Sequence, residues 1–587
     1  MCCQDKAAMA SCQSPTAQPR RFLRTPLRWR KQSSLISGLG LLLTALVLRA
    51  ADATGVRKEA EDPVLPAQLS AAATPENPIL HVGIVQRFGR SEQDQVELAA
   101  PLGSFLTLEF AQADGSTQRQ RLPQVTVGIV NRALASPETV YRLILSSHKS
   151  FESAEASANS WESLGIRTEI AQPQEWQVWA SRAYTPQQLI QIQQYAQKEG
   201  IPQVRLEVQE RRERAELSWV HEHFRYHRTR LRVTSDAGYL RVNDRYYAGS
   251  ITIQPNAYGS YTVVNAVPLE TYLRGVVPHE VGPGAPFAAM AAQAILARTY
   301  ALKNLHRFQI DDYHLCANTH CQVYKGLSGT HPRADEAIRQ TSGLVLTYKG
   351  ELVDAVYSST NGGISAGFEE VWDGEPRPYL RPQVDIAHQP DQPFDLRQES
   401  DFKAFLARRE GFNEAGVSRL FRWEFSQSLE ELNAQLRAAQ EYLGIPLPEW
   451  MTIQGLHVLE RSVSGRVQAL HVDLQTPQGL HSILLRKDQV RLAFPRLYST
   501  LFRVEPLKQS GRLTGYRFIG GGFGHGVGLS QYGAYTLARR GLNAAQILAF
   551  YYPGTTLAEL GSLSLQLPEV SLAFDSSQAQ SWSGYQR

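Results

Sequence analysis

The chain has 587 residues, 43% hydrophobic and 20% charged, with 43 glycines and 31 prolines. That usage excludes a wholly disordered, collagen-like or multi-span membrane chain, and the length leaves room for about four domain-sized units. The formal net charge is only +4, a poor argument for a nucleic-acid partner, and no basic patch with stacking aromatics stands out beyond residue 50.

Residues 1–50 hold eight Lys or Arg against one acid, Asp5, a net +7, so the rest of the chain sums to −3. The basic run is followed by the apolar stretch Leu35–Leu48 and the small-x-small site Ala51-Asp52-Ala53. Together these predict a secretory signal peptide over residues 1–53. Left uncleaved, the same segment would be a membrane anchor, although its apolar run is short for a span. Residues 54–78, rich in Ala, Pro and acids, read as a linker. Residues 79–135 alternate short apolar runs with turn residues (ILHVGIV, FLTLEF, VTVGIV) and predict a β-rich segment. Over residues 139–210 the order is strand, helix, two strands, helix, strand, that of a ferredoxin-like α+β module. A plain structural module is the preferred reading; the pattern is also loosely similar to the SPOR module, a septal glycan-binding domain. Glu210–Arg228 mixes signs and reads as a solvated connector.

From residue 229 the strands return, as LRVTS, YLRVN, SITIQP and YTVVNAV. The Ala-rich run Pro286–Asn304 predicts a buried core helix with Pro286 in its first turn. Residues 400–443 hold two further helical patterns that read as an insertion. Strands continue to about Phe518, and two helices near Leu529–Arg540 and Ala544–Tyr551 precede a Ser/Gln-rich tail at 563–587. The expected fold class is α+β. It comprises a mixed β-sheet domain over 229–562 with a central buried helix, the helical insertion, and an N-terminal α+β module.

Four places carry chemistry. Glu280 closes VPLETYLRGVVPHE, between a strand and the Ala-rich helix. A carboxyl beside apolar surface keeps its proton to higher pH and can donate it to a leaving oxygen. On residue type alone a loop acid is the plainer reading. His279-Glu280 does not open a zinc-protease helix, because position 283 is Pro. Of five cysteines, Cys2, Cys3 and Cys12 precede the predicted cut, leaving Cys316 and Cys321. With His314 and His320 they place two thiols and two imidazoles within eight residues, a donor set suited to zinc, though without zinc-finger spacing. A Cys316–Cys321 disulfide is the alternative. The run GGGFGHGVGLSQYG (Gly520–Gly533) meets no phosphate-loop pattern. Its glycines suit tight turns with positive φ around His525. SSTNGG (Ser358–Gly363) lacks a nucleophile-elbow context, which argues against a serine hydrolase.

Taken in order, VVPHE, AAQAILARTYAL, CANTHCQVYKG, SSTNGG with VWDG and PYLR, VLERSVSGRV, and GFGHGVGLSQYGAYTLARRG with YYPGT resemble the stage II sporulation protein D / amidase enhancer family. The resemblance covers roughly residues 230–560. It implies an exported protein of the periplasm or cell envelope acting on peptidoglycan glycan strands. The implied activity is that of a lytic transglycosylase. Such an enzyme cleaves the β-1,4 bond between N-acetylmuramic acid and N-acetylglucosamine, and the 6-hydroxyl closes on C1 to leave a 1,6-anhydro end. Glu280 falls on the family's catalytic glutamate, as acid and then base. The resemblance also implies a structural zinc, with Cys316, His320 and Cys321 matching directly, His314 as the fourth ligand and His306 behind it. His525, Ser530, Gln531 and Tyr532 match a terminal motif expected to line the glycan groove; Arg298 and Tyr300 match as well, with helix packing an equal alternative for both. The family's other branch implies a non-catalytic glycan binder that activates a cell-wall amidase. No nucleic acid is expected, and membrane contact only through an uncleaved N-terminal segment. The stretch VGPGAP after Glu280 departs from the family pattern, which bears on where Glu280 sits.

Overall fold

Five strands open the described chain: β1 (Ile79–Phe88), β2 (Gln95–Ala99), β3 (Leu106–Ala111), β4 (Thr117–Leu122) and the long β5 (Gln124–His148). They belong to a computed structural model that describes residues 74–565, apart from 75, 113, 202 and 387–394, together with residue 568. The expected signal segment, most of the linker and most of the tail lie outside the described residues. Among the described residues no helix is long and apolar enough to cross a membrane.

After β5 come α1 (Phe151–Ser163), β6 (Thr168–Ala171), β7 (Trp176–Ala180), α2 (Pro186–Lys198) and β8 (Arg205–His221). The strands lie in the order β8-β5-β7-β6, every neighbour antiparallel. That is a ferredoxin-like sheet. Capping residues fix both helix starts: the Ser150 side chain accepts from the Ser153 N–H, and Thr185 with Gln188 forms a capping box.

The charged segment 210–228 is no connector. It completes β8 and forms β9 (Phe224–Arg228), and β8 pairs with β5 along most of its length. The mixed charges of β8 face cross-strand partners, with Arg132 to Glu216 at 3.0 Å and Arg142 to Glu207 at 3.7 Å. This is how a ribbon wetted on both faces holds its register. β5 also runs unbroken through residues 135–139, where the sequence suggested a module boundary.

The remaining strands of this half are β10 (Leu231–Ser235), β11 (Tyr239–Val242), β12 (Arg245–Ala248), β13 (Ser250–Pro255) and β14 (Tyr261–Pro268). Two short helices, α3 (Leu269–Arg274) and α4 (Val277–Glu280), and the long α5 (Phe287–Lys303) follow; then comes β15 (Leu315–Cys316). A seven-stranded sheet forms in the order β15-β1-β14-β13-β10-β3-β4. The division expected at residue 229 is therefore not a structural boundary. β1 lies between β14 and β15, and β3 and β4 extend the far edge. The interior strands β13 and β14 are buried on both faces and read as near-continuous apolar runs. Edge strand β4 alternates exposed and buried residues.

Helix α5 packs in the main core and is buried from Ala289 to Leu302 on all sides, the signature of an internal helix. The inserted helices prove to be part of a larger lobe. Glu399–Ala407 and Leu429–Ala439 flank the strand Trp423–Ser428, which pairs with Arg512–Gly520. With the meander of Thr452–Arg461, Val467–Thr476 and Gly479–Arg486, the second helix and the paired strands enclose a separate core that includes Leu432, Leu436, Val472 and Phe518, while the first helix packs Phe402, Phe405 and Leu406 into a smaller cluster with Phe412 and Phe421. The strand Arg512–Gly520 delivers the chain straight into the glycine-rich loop.

Candidate active site around Glu280

Glu280 is the last residue of α4, a single turn set between the end of the sheet and α5. Its carboxyl is held from three sides. Oε1 accepts the Val323 N–H at 2.7 Å, and Oε2 lies 3.5 Å from Gln531 Nε2. The Tyr357 hydroxyl is the third partner. Tyr357 is itself oriented by Gln322 Nε2 at 3.0 Å, and the Tyr272 hydroxyl donates to Gln322 Oε1 at 3.0 Å. Burial raises the Glu280 pKa; the hydrogen bonds from Val323, Gln531 and Tyr357 oppose the rise without cancelling it. No second carboxylate acts on it among the described residues. The site therefore offers one acid that holds its proton above the ordinary carboxylate range.

The opposite wall joins two distant loops. Tyr357–Ser358 pairs in parallel with Leu529–Ser530. Four glycines flanking His525, at 522, 524, 526 and 528, have φ between +69° and +109°. They give the turns that return the chain from the lobe. Ser530 then caps the helix Gln531–Arg539, accepting the Gly533 N–H at 3.1 Å, and this aims Gln531 at Glu280. Tyr532 and Tyr535 stand with ring centroids 5.4 Å apart, and the Tyr535 hydroxyl donates to the Val281 carbonyl. Both rings are half-buried, and the neighbouring turn carries the exposed Pro283 and Gly284. The two rings form a half-buried aromatic surface next to this turn.

Beneath this wall lie two fully buried carboxyls that the sequence did not single out. Glu414 accepts from Thr360 Oγ1 at 2.5 Å, the Asn361 N–H at 2.6 Å, the Gly362 N–H at 2.9 Å, and the Ser530 hydroxyl. Asp385 accepts from Asn361 Nδ2 at 3.0 Å, Asn413 Nδ2 at 2.8 Å and the Tyr551 hydroxyl at 3.0 Å. Glu414 comes from the lobe, so the lobe fixes both SSTNGG and the start of the last long helix. Only the acidic residue type hinted at this; its contacts join positions more than 50 residues apart.

Of the residues expected to line a glycan groove, Gln531 reaches Glu280, and Tyr532, next in the chain, stands against Tyr535. The others do different work. Arg298 is fully buried on α5 and grips Glu270 with two bonds, Nε to Oε1 at 2.6 Å and Nη2 to Oε2 at 2.8 Å, while Nη1 donates to the Leu344 carbonyl at 2.9 Å. As placed, its guanidinium is engaged in packing contacts. Ser530 is buried and spent on capping and on Glu414. The His525 ring leans on Trp372 at 4.9 Å, and its Nδ1 accepts the Val527 N–H at 3.1 Å. Burial pushes its pKa down to about 3, so the ring is neutral.

The expected zinc ligands do not assemble. Among the described residues no group of three or more His, Cys, Asp or Glu is placed to hold a metal ion. The Cys316 and Cys321 sulfurs lie 2.6 Å apart. Two thiolates on one tetrahedral zinc, with bonds of about 2.3 Å, stand about 3.8 Å apart. The His314 Nδ1 accepts the His81 N–H at 3.2 Å, and the His320 ring packs edge-on against Trp176 at 6.3 Å. His306 bonds Glu155 at 2.7 Å. As placed, these residues do not fit the ion.

Comparison with known proteins matches residues 257–348 to the family described as Stage II sporulation protein, and residues 366–528 to a domain family of unknown function. The chain is 28% identical to the amidase enhancer of Bacillus subtilis over 298 residues, 49% of this chain and 40% of that protein. It is 25% identical to stage II sporulation protein D of the same organism, covering 50% of this chain and 76% of the relative. An uncharacterized protein of Brachyspira hyodysenteriae is 26% identical over 351 residues, 56% of this chain and 77% of its own length. The chain thus spans about two fifths of the amidase enhancer and about three quarters of the other two.

Proposed function

As a member of the stage II sporulation protein D and amidase enhancer family, this chain is, we propose, an exported lytic transglycosylase of peptidoglycan glycan strands. The observation that carries the reading is the single carboxyl of Glu280, half-buried, proton-retaining and fixed by Val323, Tyr357 and Gln531. In the first step Glu280 gives its proton to the oxygen of the β-1,4 bond, and the N-acetylglucosamine side leaves as an alcohol. In the second, the carboxylate takes the proton of the muramic acid 6-hydroxyl as that oxygen bonds to C1. The acid is regenerated and no water enters. One carboxyl serves both steps, whereas the usual hydrolytic mechanism needs two. Tyr532 and Tyr535 supply the stacking surface for the strand. The cell envelope is the compartment where such a substrate is met.

The test is digestion of peptide-free glycan strands in heavy-oxygen water, followed by mass spectrometry. The expected products carry 1,6-anhydro ends with no heavy oxygen. Reducing ends labelled with heavy oxygen would instead mark a hydrolase. The similarity to the amidase enhancer favours a second role, in which the same grip presents strands to a cell-wall amidase. That role predicts stimulation of the amidase by Glu280→Gln as strong as by the wild type.

A further inference from the structure

The disagreement over zinc points to a different fate for the two thiols. Cys316 ends the short strand β15, which pairs with β1 so that Gly83 lies opposite Cys316. Gly83 has no room for a side chain, since a Cβ there would meet the Tyr313 ring at 2.7 Å. This close approach seats β15 firmly on the sheet. The chain then turns back on itself. The Cys321 N–H donates to the Asn318 carbonyl at 3.1 Å, the His320 N–H to Asn318 Oδ1 at 2.9 Å, and the Tyr324 N–H to the Ala317 carbonyl at 3.2 Å. The turn brings the Cys321 sulfur 3.1 Å from the Cys316 backbone nitrogen and 2.6 Å from the Cys316 sulfur. Trp176, Phe308 and Tyr313 close over the pair. Non-bonded sulfurs do not pack so closely, and reaching the disulfide distance of about 2.05 Å needs about half the movement of opening to the separation of two zinc ligands.

We infer that Cys316 and Cys321 form a structural disulfide that pins the loop holding Glu280. Each thiol loses one hydrogen and one S–S bond forms. The two electrons and two protons pass to the disulfide of an envelope protein thiol oxidant, which becomes a dithiol. The pinned segment leads directly to Gln322 and Val323, the first orienting Tyr357 and the second donating to Glu280. The natural oxidant follows from the exported location proposed above. The experiment supplies its own oxidant, so a failure of the bond and a failure of export read differently.

The full chain is refolded in a glutathione redox buffer with equimolar zinc, alkylated without reductant and digested with trypsin. Cleavage after Arg307 and Lys325 leaves both cysteines in the one peptide 308–325. The expected peptide is lighter than the dithiol form by two hydrogens, takes no alkyl group, and takes two after reduction. Reduction should also lower the melting temperature of the wild type while leaving Cys321→Ser unmoved. If that variant does not fold, the wild type before and after reduction still decides the point. Two alkylated thiols, glutathione adducts, or one tightly held zinc per chain with reduced cysteines would each overturn the disulfide.

Discussion

The surroundings of Glu280 favour its protonated form without sealing the carboxyl away. Burial raises its pKa, and the donors around it pull the other way. In the proposed role of general acid it must be protonated, so activity is expected to fall as pH rises through the raised value. Tyr357→Phe removes one donor to the carboxylate, so the pKa rises further. The alkaline limb of the pH–rate profile for anhydro products is expected to move to higher pH. A shift to lower pH would show that Tyr357 does not act on Glu280 in this way. Asp385 is the second titrating group of interest. Burial, then the neighbouring Glu414, pushes it up to about 7. The two carboxyls titrate as a pair. The folded Asp385 keeps a proton that the unfolded chain releases near its ordinary value of about 4. Its contribution to stability is therefore full below about pH 4 and lost as pH rises through about 7. Urea unfolding midpoints measured across that window should decline with pH in the wild type and decline less in Asp385→Asn.

Helix α5 shows what the sequence could and could not reveal at the scale of elements. Its span, its Pro286 start and its burial were all legible, because an Ala-rich run that is apolar on every face has few other uses. For Arg298 the sequence leaves substrate contact and helix packing equally open. Membership in a motif does not distinguish a side chain that meets substrate from one that locks a helix to Glu270. Arg298→Leu strands the Glu270 carboxylate and is expected to cost about 3–5 kcal/mol, read from chemical unfolding. A loss below about 1 kcal/mol would mean the pair contributes no more than a surface bridge. The ribbon of β5 and β8 was misread for a related reason. Mixed charges look like a solvated connector until the cross-strand partners are known, and those partners are more than 60 residues away.

At the scale of the whole molecule, the motifs identified the region of the site and the family, while the long-range pairing stayed hidden. β1 and β14 are separated by more than 170 residues yet lie side by side, Leu80 opposite Val267. The ferredoxin-like unit likewise reaches the cysteine loop through Trp176 against Phe308 and through the Arg307–Glu152 ion pair. A chain begun at Thr229, where motif matching would cut it, loses β1, β3 and β4 from the sheet. It leaves β14 as an open apolar edge, which invites association. Such a fragment is expected to aggregate or lack near-ultraviolet circular dichroism, and a soluble, cooperatively folded fragment would refute this account of the sheet. The central claim, however, rests on one carboxyl. The measurement that tests it most directly is the yield of 1,6-anhydro ends from peptide-free strands, for the wild type and for Glu280→Gln at equal melting temperature. The yield is predicted to fall by about 10²- to 10⁴-fold, the usual contribution of a positioned acid–base group. A Glu280→Gln protein that still forms anhydro ends at the wild-type rate would contradict it.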